Sequence, residues 1–216
     1  MLINPYIFRG YDIRGLVGKD LNPGIVEYLG RAYGTFLLKR GINKTVIGHD
    51  CRLTGETYSE AMIKGLLSAG VDVVDIGLSL AGIVYWAQYY FEAKGCVSLS
   101  GSHNSAEYNG FKLGMGFSST MVSEDVQELR QISDEGKFSQ GKGKLERKDI
   151  KEAYFEDLLK RYSDKMLIPI CPEQLGGLPT PRPKAEIHSD KVVDENGRDV
   201  TKEFLKFKTI DGTELN

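Results

Sequence analysis

Apolar residues recur along this chain with two alternating periods, that of an amphipathic helix and that of a short buried strand. In NPGIVEYLGRAYGTFLLKRG, residues Val26, Leu29, Tyr33, Phe36 and Leu37 fall on one helical face, with Asn22 as N-cap, Pro23 at the first helical position and Gly41 as the stop. TVIGHD (45–50) reads as a buried strand, and the spacing of Tyr58, Ala61, Met62, Gly65 and Leu66 predicts a second helix ending at Gly70. VDVVDIG (71–77) is the next strand, AGIVYWAQYYFEA (81–93) the next helix and GCVSLSG (95–101) a third strand. Beyond it, FKLGM (111–115) suits a further strand, and SEDVQELRQISDEG a helix capped by Ser123 with Glu124 and Asp125 against its dipole. GKFSQGKGK (136–144) reads as a solvated turn or connector, and DIKEAYFEDLLKRYS as a helix with Asp149 and Glu152 at capping-box spacing. Strand, helix and strand joined by short connections imply an α/β fold of three αβα layers, its sheet mostly parallel with helices on both faces. In such sheets ligands bind where strands end and loops begin.

After Ser163 the texture changes. Five of the seven prolines lie between Pro169 and Pro183, which predicts an irregular, Pro-rich C-terminal tail. The expected organisation is therefore an α/β/α domain over 1–147, a linking helix over 148–163, and a tail over 164–216 less ordered than the body. A length of 216 residues suits one or two domains, and 41% hydrophobic with 27% charged residues is ordinary for a soluble globular chain. A net charge of −2 provides no field to recruit nucleic acid or an anionic membrane. No apolar run approaches the roughly 20 residues of a membrane span. Cys51, Cys96 and Cys171 are odd in number and widely spaced, without a signal peptide, which argues against a disulfide framework and for a reducing, cytoplasmic setting.

The chemistry concentrates in SLSGSHNSAEYNGFKLG (98–114). Ser102, His103, Asn104, Asn109 and Lys112 stand there among Gly101, Gly110 and Gly114, bringing a hydroxyl, an imidazole, amides and an ammonium onto one loop. That is the inventory of a phosphate site. A serine hydroxyl is a weak nucleophile until a base or metal activates it, and once phosphorylated it carries about −1.5 to −2 charges that donors or a cation must match. Two further polar segments are candidates to join it. FRGYDIRG (8–15) offers Arg9, Tyr11, Asp12 and Arg14; GHDCRLTGE (48–56) offers His49, Asp50 and Arg52. Asp50 and Arg52 suit a structural ion pair as well as a phosphate clamp, and His49 a structural hydrogen bond as well as a ligand role. Tyr85, Trp86, Tyr89, Tyr90 and Phe91 read as helix packing, since no basic stripe accompanies them.

The order FRGYDIRG, GHDCRLTGE, SGSHNSAEYNGFKL resembles the first domain of the α-D-phosphohexomutases, the phosphomannomutase and phosphoglucomutase family, over residues 1 to about 162 including KEAYFEDLLKRY. The resemblance implies that Ser102 is a phosphoserine exchanging its phosphoryl group with a hexose phosphate or hexose bisphosphate. His103 and Lys112 would assist proton transfer, Tyr11, Arg14, Asn104 and Asn109 would bind substrate, and a phosphoserine oxygen at Ser102 would be one Mg²⁺ ligand. The family usually has proline where this chain has Ser105, and a Thr-Pro segment where it has SLAGIV. The remaining Mg²⁺ ligands, the sugar-selecting loop and a phosphate cradle belong to three further domains of the family. Their absence implies an incomplete mutase, for which a chain supplying those domains is a candidate partner. A second resemblance, carried by CPEQLGGLPTPRP and KVVDENGRDVTKEFLKF, is to a thiouracil desulfurase-like family over about 166–207, in which Cys171 matches one cluster-ligating cysteine. An iron-sulfur cluster draws on three or four cysteines, so one does not hold it. The sequence thus leaves three readings: a phosphosugar-processing domain, a non-catalytic phosphosugar-binding or interaction module, and a desulfidase fragment.

Overall fold

A computed structural model describes residues 3–161, 185–187, 192–194 and 198. The chain divides into two units, Met1–Lys151 and Glu152–Asn216. In the first, a 3-10 turn at Pro5–Ile7 leads into β1 (Ile13–Leu16), α1 (Pro23–Leu38), β2 (Lys44–His49), α2 (Gly55–Ala69), β3 (Asp72–Leu78), α3 (Ala81–Tyr90) and β4 (Gly95–Leu99). Then come β5 (Tyr108–Gly116), β6 (Ser119–Thr120), α4 (Ser123–Glu135) and β7 (Leu145–Arg147). The sheet runs in the order β1-β5-β4-β2-β3-β7, with β6 beside β5. Strands β4, β2, β3 and β7 are mutually parallel. β5 is antiparallel to both its main neighbours, β4 and β1, so it is the strand that reverses a mostly parallel sheet.

Alternate residues of each central strand feed opposite faces. Ile47, Val73, Val97 and Leu99 pack with Val26, Leu29, Phe36, Met62, Leu66, Val126 and Leu129 of α1, α2 and α4. Val46, Val74, Ile76 and Cys96 pack with Val84 and Ala87 of α3. This is the expected three-layer α/β fold. Helix starts follow local chemistry: Asn22 Oδ1 accepts the Ile25 N–H at 3.0 Å, and α2 ends at Gly70 in the left-handed region with φ +103°.

Three readings change. FRGYDIRG, grouped above with the polar segments, is partly strand, because Ile13 and Gly15 alternate inward and β1 pairs with β5, Ile13 opposite Phe111. Ser123 does not cap α4; it is the first helical residue, and its hydroxyl donates to Gly10 O at 3.1 Å. Val122 takes the cap position and has no side-chain acceptor, so the first turn is closed by Asp125 Oδ2 accepting the Val122 N–H at 3.0 Å. The 136–144 connector is hydrogen-bonded rather than merely solvated: Gly141 and Gly143 donate to Ser68 O and Leu67 O, and Phe138 meets Tyr28 edge to face.

Cys96 lies under α3 with its thiol buried, and burial pushes its pKa up from the ordinary 9.0 to about 12. The Tyr33 phenol, shared between Cys96 O and Gly114 O, is raised in the same sense by desolvation. The folded chain holds these protons more tightly than the unfolded chain does. The stability they contribute is therefore full below about pH 9 and is lost as pH rises toward about 12. The thermal midpoint is expected to fall across that window, with a shallower fall in Cys96→Val, as a melting series in pH would show.

At the end of the first unit the Asp149 carboxylate accepts the Lys151 N–H at 3.1 Å, and α5 (Lys151–Arg161) starts there and continues into the second. β8 (Ala185–Ile187) and β9 (Val192–Asp194) form an antiparallel pair. The Pro-rich run, Cys171 and the rest of the tail, whose lower order the sequence predicts, lie outside the described residues. No helix among the described residues is long and apolar enough to cross a membrane.

Candidate functional site

The loop joining β4 to β5 leaves the sheet at Ser100, whose N–H donates to Gly110 O at 2.9 Å. At its crest Ser102 has φ +52°. A left-handed backbone costs a non-glycine residue about 1 kcal/mol, so surrounding contacts must hold it there. The Ser102 N–H donates to Ser100 Oγ at 2.9 Å, and Ser102 Oγ lies 3.2 Å from His103 Nδ1. Both side chains are exposed. A hydroxyl thus sits beside an imidazole able to take its proton.

Arg52, from the β2–α2 loop, stands at the centre of the contacts that fix this shape. Its Nη1 donates to Ser105 O at 2.7 Å and Tyr108 O at 2.9 Å; its Nη2 donates to Ser102 O at 3.1 Å and Asn104 O at 2.7 Å. Its Nε lies 3.3 Å from Asp50 Oδ2. Of the two roles the sequence left open, the ion pair forms, and the rest of the fork is engaged by loop carbonyls. Ser105, in place of the family's proline, contributes one of them. Gly101 crosses directly over the guanidinium: a Cβ there would fall 2.2 Å from Arg52 Cζ.

Arg14 reaches the loop from the other side. In β1 it pairs with Gly110, and its Nη1 donates to Asn104 Oδ1 while Nη2 donates to Asp12 Oδ2 at 2.6 Å. The Arg14 and Asp12 side chains are 12% and 6% exposed, and Arg14 Nε is buried without a hydrogen-bond partner. Lys112 lies opposite Ser98 in register, its Nζ 5.4 Å from the ring centroid of the exposed Tyr11. Arg14 and Asn104 are thereby joined, on the loop that carries Ser102 and His103, while Tyr11 and Lys112 form a pair of their own. Asn109 is wholly buried; its Nδ2 donates to Thr54 Oγ1 at 2.9 Å and its Oδ1 accepts the Gly110 N–H at 2.8 Å. It ties β5 to the start of α2. His49 Nδ1 is 2.9 Å from Asp50 O, a local structural contact. The α3 aromatics pack in pairs, Trp86 on Tyr90 and Tyr89 on Phe117.

Sequence reasoning missed Ser100 and Thr54 as supports, and it did not foresee which way Arg52 points. The available signal was Gly101, which leaves room for a group to pass beneath the chain. Among the described residues no three His, Cys, Asp or Glu side chains come together as a metal site. An Mg²⁺ ion needs several oxygen ligands in near-octahedral array, so these residues do not fit it by themselves.

A family model described as phosphoglucomutase/phosphomannomutase, alpha/beta/alpha domain I, matches residues 5–140. The chain belongs to the phosphoglucomutase/phosphomannomutase family. It is 38% identical over 152 residues to a phosphomannomutase/phosphoglucomutase of Pseudomonas aeruginosa, covering 70% of this chain and 33% of that protein. A phosphomannomutase sequence of Klebsiella pneumoniae is 41% identical over 133 residues, covering 61% of this chain and 82% of its own length. A crystal structure of a phosphoglucomutase/phosphomannomutase family protein from Burkholderia thailandensis superposes with a TM-score of 0.71 at 31% identity, covering 78% of this chain and 38% of that one. The chain thus spans about a third of the length of the first curated relatives it matches. A second family model, 2-thiouracil desulfurase, matches residues 141–214, beginning ahead of the motifs at 166 that carry that resemblance.

Proposed function

We propose that this chain carries the phosphoserine domain of a phosphohexomutase, with Ser102 as the group that accepts a phosphoryl from a hexose bisphosphate and returns it to a hexose phosphate. The observation that carries this reading is Ser102 itself, an exposed hydroxyl held at φ +52° with His103 Nδ1 3.2 Å away. As the Oγ–P bond forms and the P–O bond to the sugar breaks, the Oγ proton passes to His103, and Lys112 supplies the proton that the departing sugar oxygen takes. Arg14 holds the loop through the Asn104 side chain, while Tyr11 flanks Lys112. Asn109 acts by holding β5 to α2 rather than by touching the sugar. Phosphoryl transfer asks chiefly for positioning and charge neutralisation, which suits this set. The family's Mg²⁺ would meet the phosphoserine oxygen here, take its other ligands from elsewhere and supply charge neutralisation at the phosphoryl group.

The lack of an acidic metal cluster among the described residues favours a second reading, a phosphosugar-binding module without transfer. One experiment separates the two. The phosphohexomutase reading expects radiolabelled phosphoryl to move from glucose 1,6-bisphosphate to the chain and from the isolated labelled chain to added hexose 6-phosphate. Saturable binding of the sugar with no covalent label would instead establish the binding module.

A further inference from the structure

We infer that Arg52 is a positioning residue for the Ser102 nucleophile, acting by turning the loop's carbonyls away from the incoming phosphoryl group. This rests on the phosphohexomutase reading of Ser102. The guanidinium donates to the carbonyls of Ser102, Asn104, Ser105 and Tyr108 at 2.7–3.1 Å, and its charge is balanced by Asp50 at 3.3 Å. Among the described residues no peptide is cis. In a trans peptide the N–H points opposite to the preceding C=O. Each carbonyl drawn onto Arg52 therefore sends the next N–H the other way, which directs the amides of His103 and Ser105, with that of Ala106, away from the guanidinium.

The consequence is electrostatic. Four carbonyl dipoles that would repel a phosphate dianion are sequestered on a cation, while backbone donors are turned outward around Ser102, the arrangement that favours anions in backbone nests. The same contacts offset the strain at Ser102, whose own carbonyl is one of the four. Lysine cannot replace this fork: a compact ammonium has three donors and no planar geometry to span four carbonyls. Gly101 belongs to the same device, because any side chain there would collide with the Arg52 guanidinium. Arg52 does not contact the sugar in this scheme, so its removal should slow transfer rather than weaken substrate binding.

The test uses the full chain and its Arg52→Ala, Arg52→Lys and Gly101→Ala variants, with glucose 1,6-bisphosphate as phosphoryl donor. The readouts are melting temperature, amide hydrogen exchange across residues 100–109, and the rate of phosphoryl uptake against donor concentration. All three variants are expected to exchange the loop amides about tenfold faster or more, with sheet amides unchanged. Uptake at saturating donor should fall about 100-fold while the concentration giving half the maximal rate shifts less than about threefold. Added guanidinium ion, below denaturing concentration, should restore part of the rate to Arg52→Ala and none to Arg52→Lys. Parent-like exchange and uptake in Arg52→Ala or Arg52→Lys overturn the inference, and so does a loss confined to donor affinity. If Arg52→Ala does not fold, Gly101→Ala displaces the guanidinium without deleting it and is judged by the same readouts. A parent chain that takes up no phosphoryl group overturns the phosphohexomutase reading alone, and Arg52 is then decided by the exchange result.

Discussion

Gly65→Ala is expected to destabilise the first unit by about 3 kcal/mol or more, a loss at the upper end of what overpacking causes. The reason is that α1 and α2 meet backbone to backbone. A Cβ on Gly65 would fall 2.2 Å from Glu27 O, 2.8 Å from Arg31 N and 2.8 Å from Gly30 Cα, all main-chain atoms that no rotamer change can move aside. Alanine brings better helix propensity, worth about 1 kcal/mol over glycine, so the clash outweighs the gain. In a chain of this size the midpoint should drop by about 6–12 °C. Gly82→Ala in α3, where nothing lies within 4 Å, should be neutral or stabilising. A drop in both, or in neither, would show that helix contact is not the cause. The packing matters to the site because Thr54, at the start of α2, holds Asn109 of β5.

Arg14→Met is expected to cost about 3 kcal/mol or more, because it leaves the Asp12 carboxylate, 6% exposed, without its cation. It also releases Asn104 from β1. Adding Asp12→Asn removes the stranded charge, so the double variant should recover a large part of the stability while phosphoryl uptake stays low. Chemical denaturation of the parent, both single variants and the double variant supplies the cycle. If the double variant regained uptake along with stability, Arg14 would be a structural partner of Asp12 and nothing more.

What the sequence made legible was local. Asn22 and Pro23 mark a helix start and Gly70 a helix stop, while the residue types of 98–114 raise the expectation of a phosphate site from composition alone. What it hid was non-local or borne by backbone. Carbonyls carry no sequence signature, so the ring of acceptors around Arg52 could not be read, although Asp50, Arg52 and Gly101 were all in view. β1 hid within a polar motif because only Ile13 and Gly15 face inward and its partner, β5, is nearly a hundred residues away. Asn109 looked like a ligand group by composition, and only its burial against Thr54 gives it a different task. Ser123 looked like a cap, and the Gly10 carbonyl engages it instead.

The most direct measurement is intact-mass spectrometry with peptide mapping of the full chain and of Ser102→Ala, before and after incubation with glucose 1,6-bisphosphate and Mg²⁺. The account predicts one added phosphoryl group on the parent, mapped to Ser102, and none on the variant. A parent that stays unmodified, or a variant that labels equally well, would contradict it.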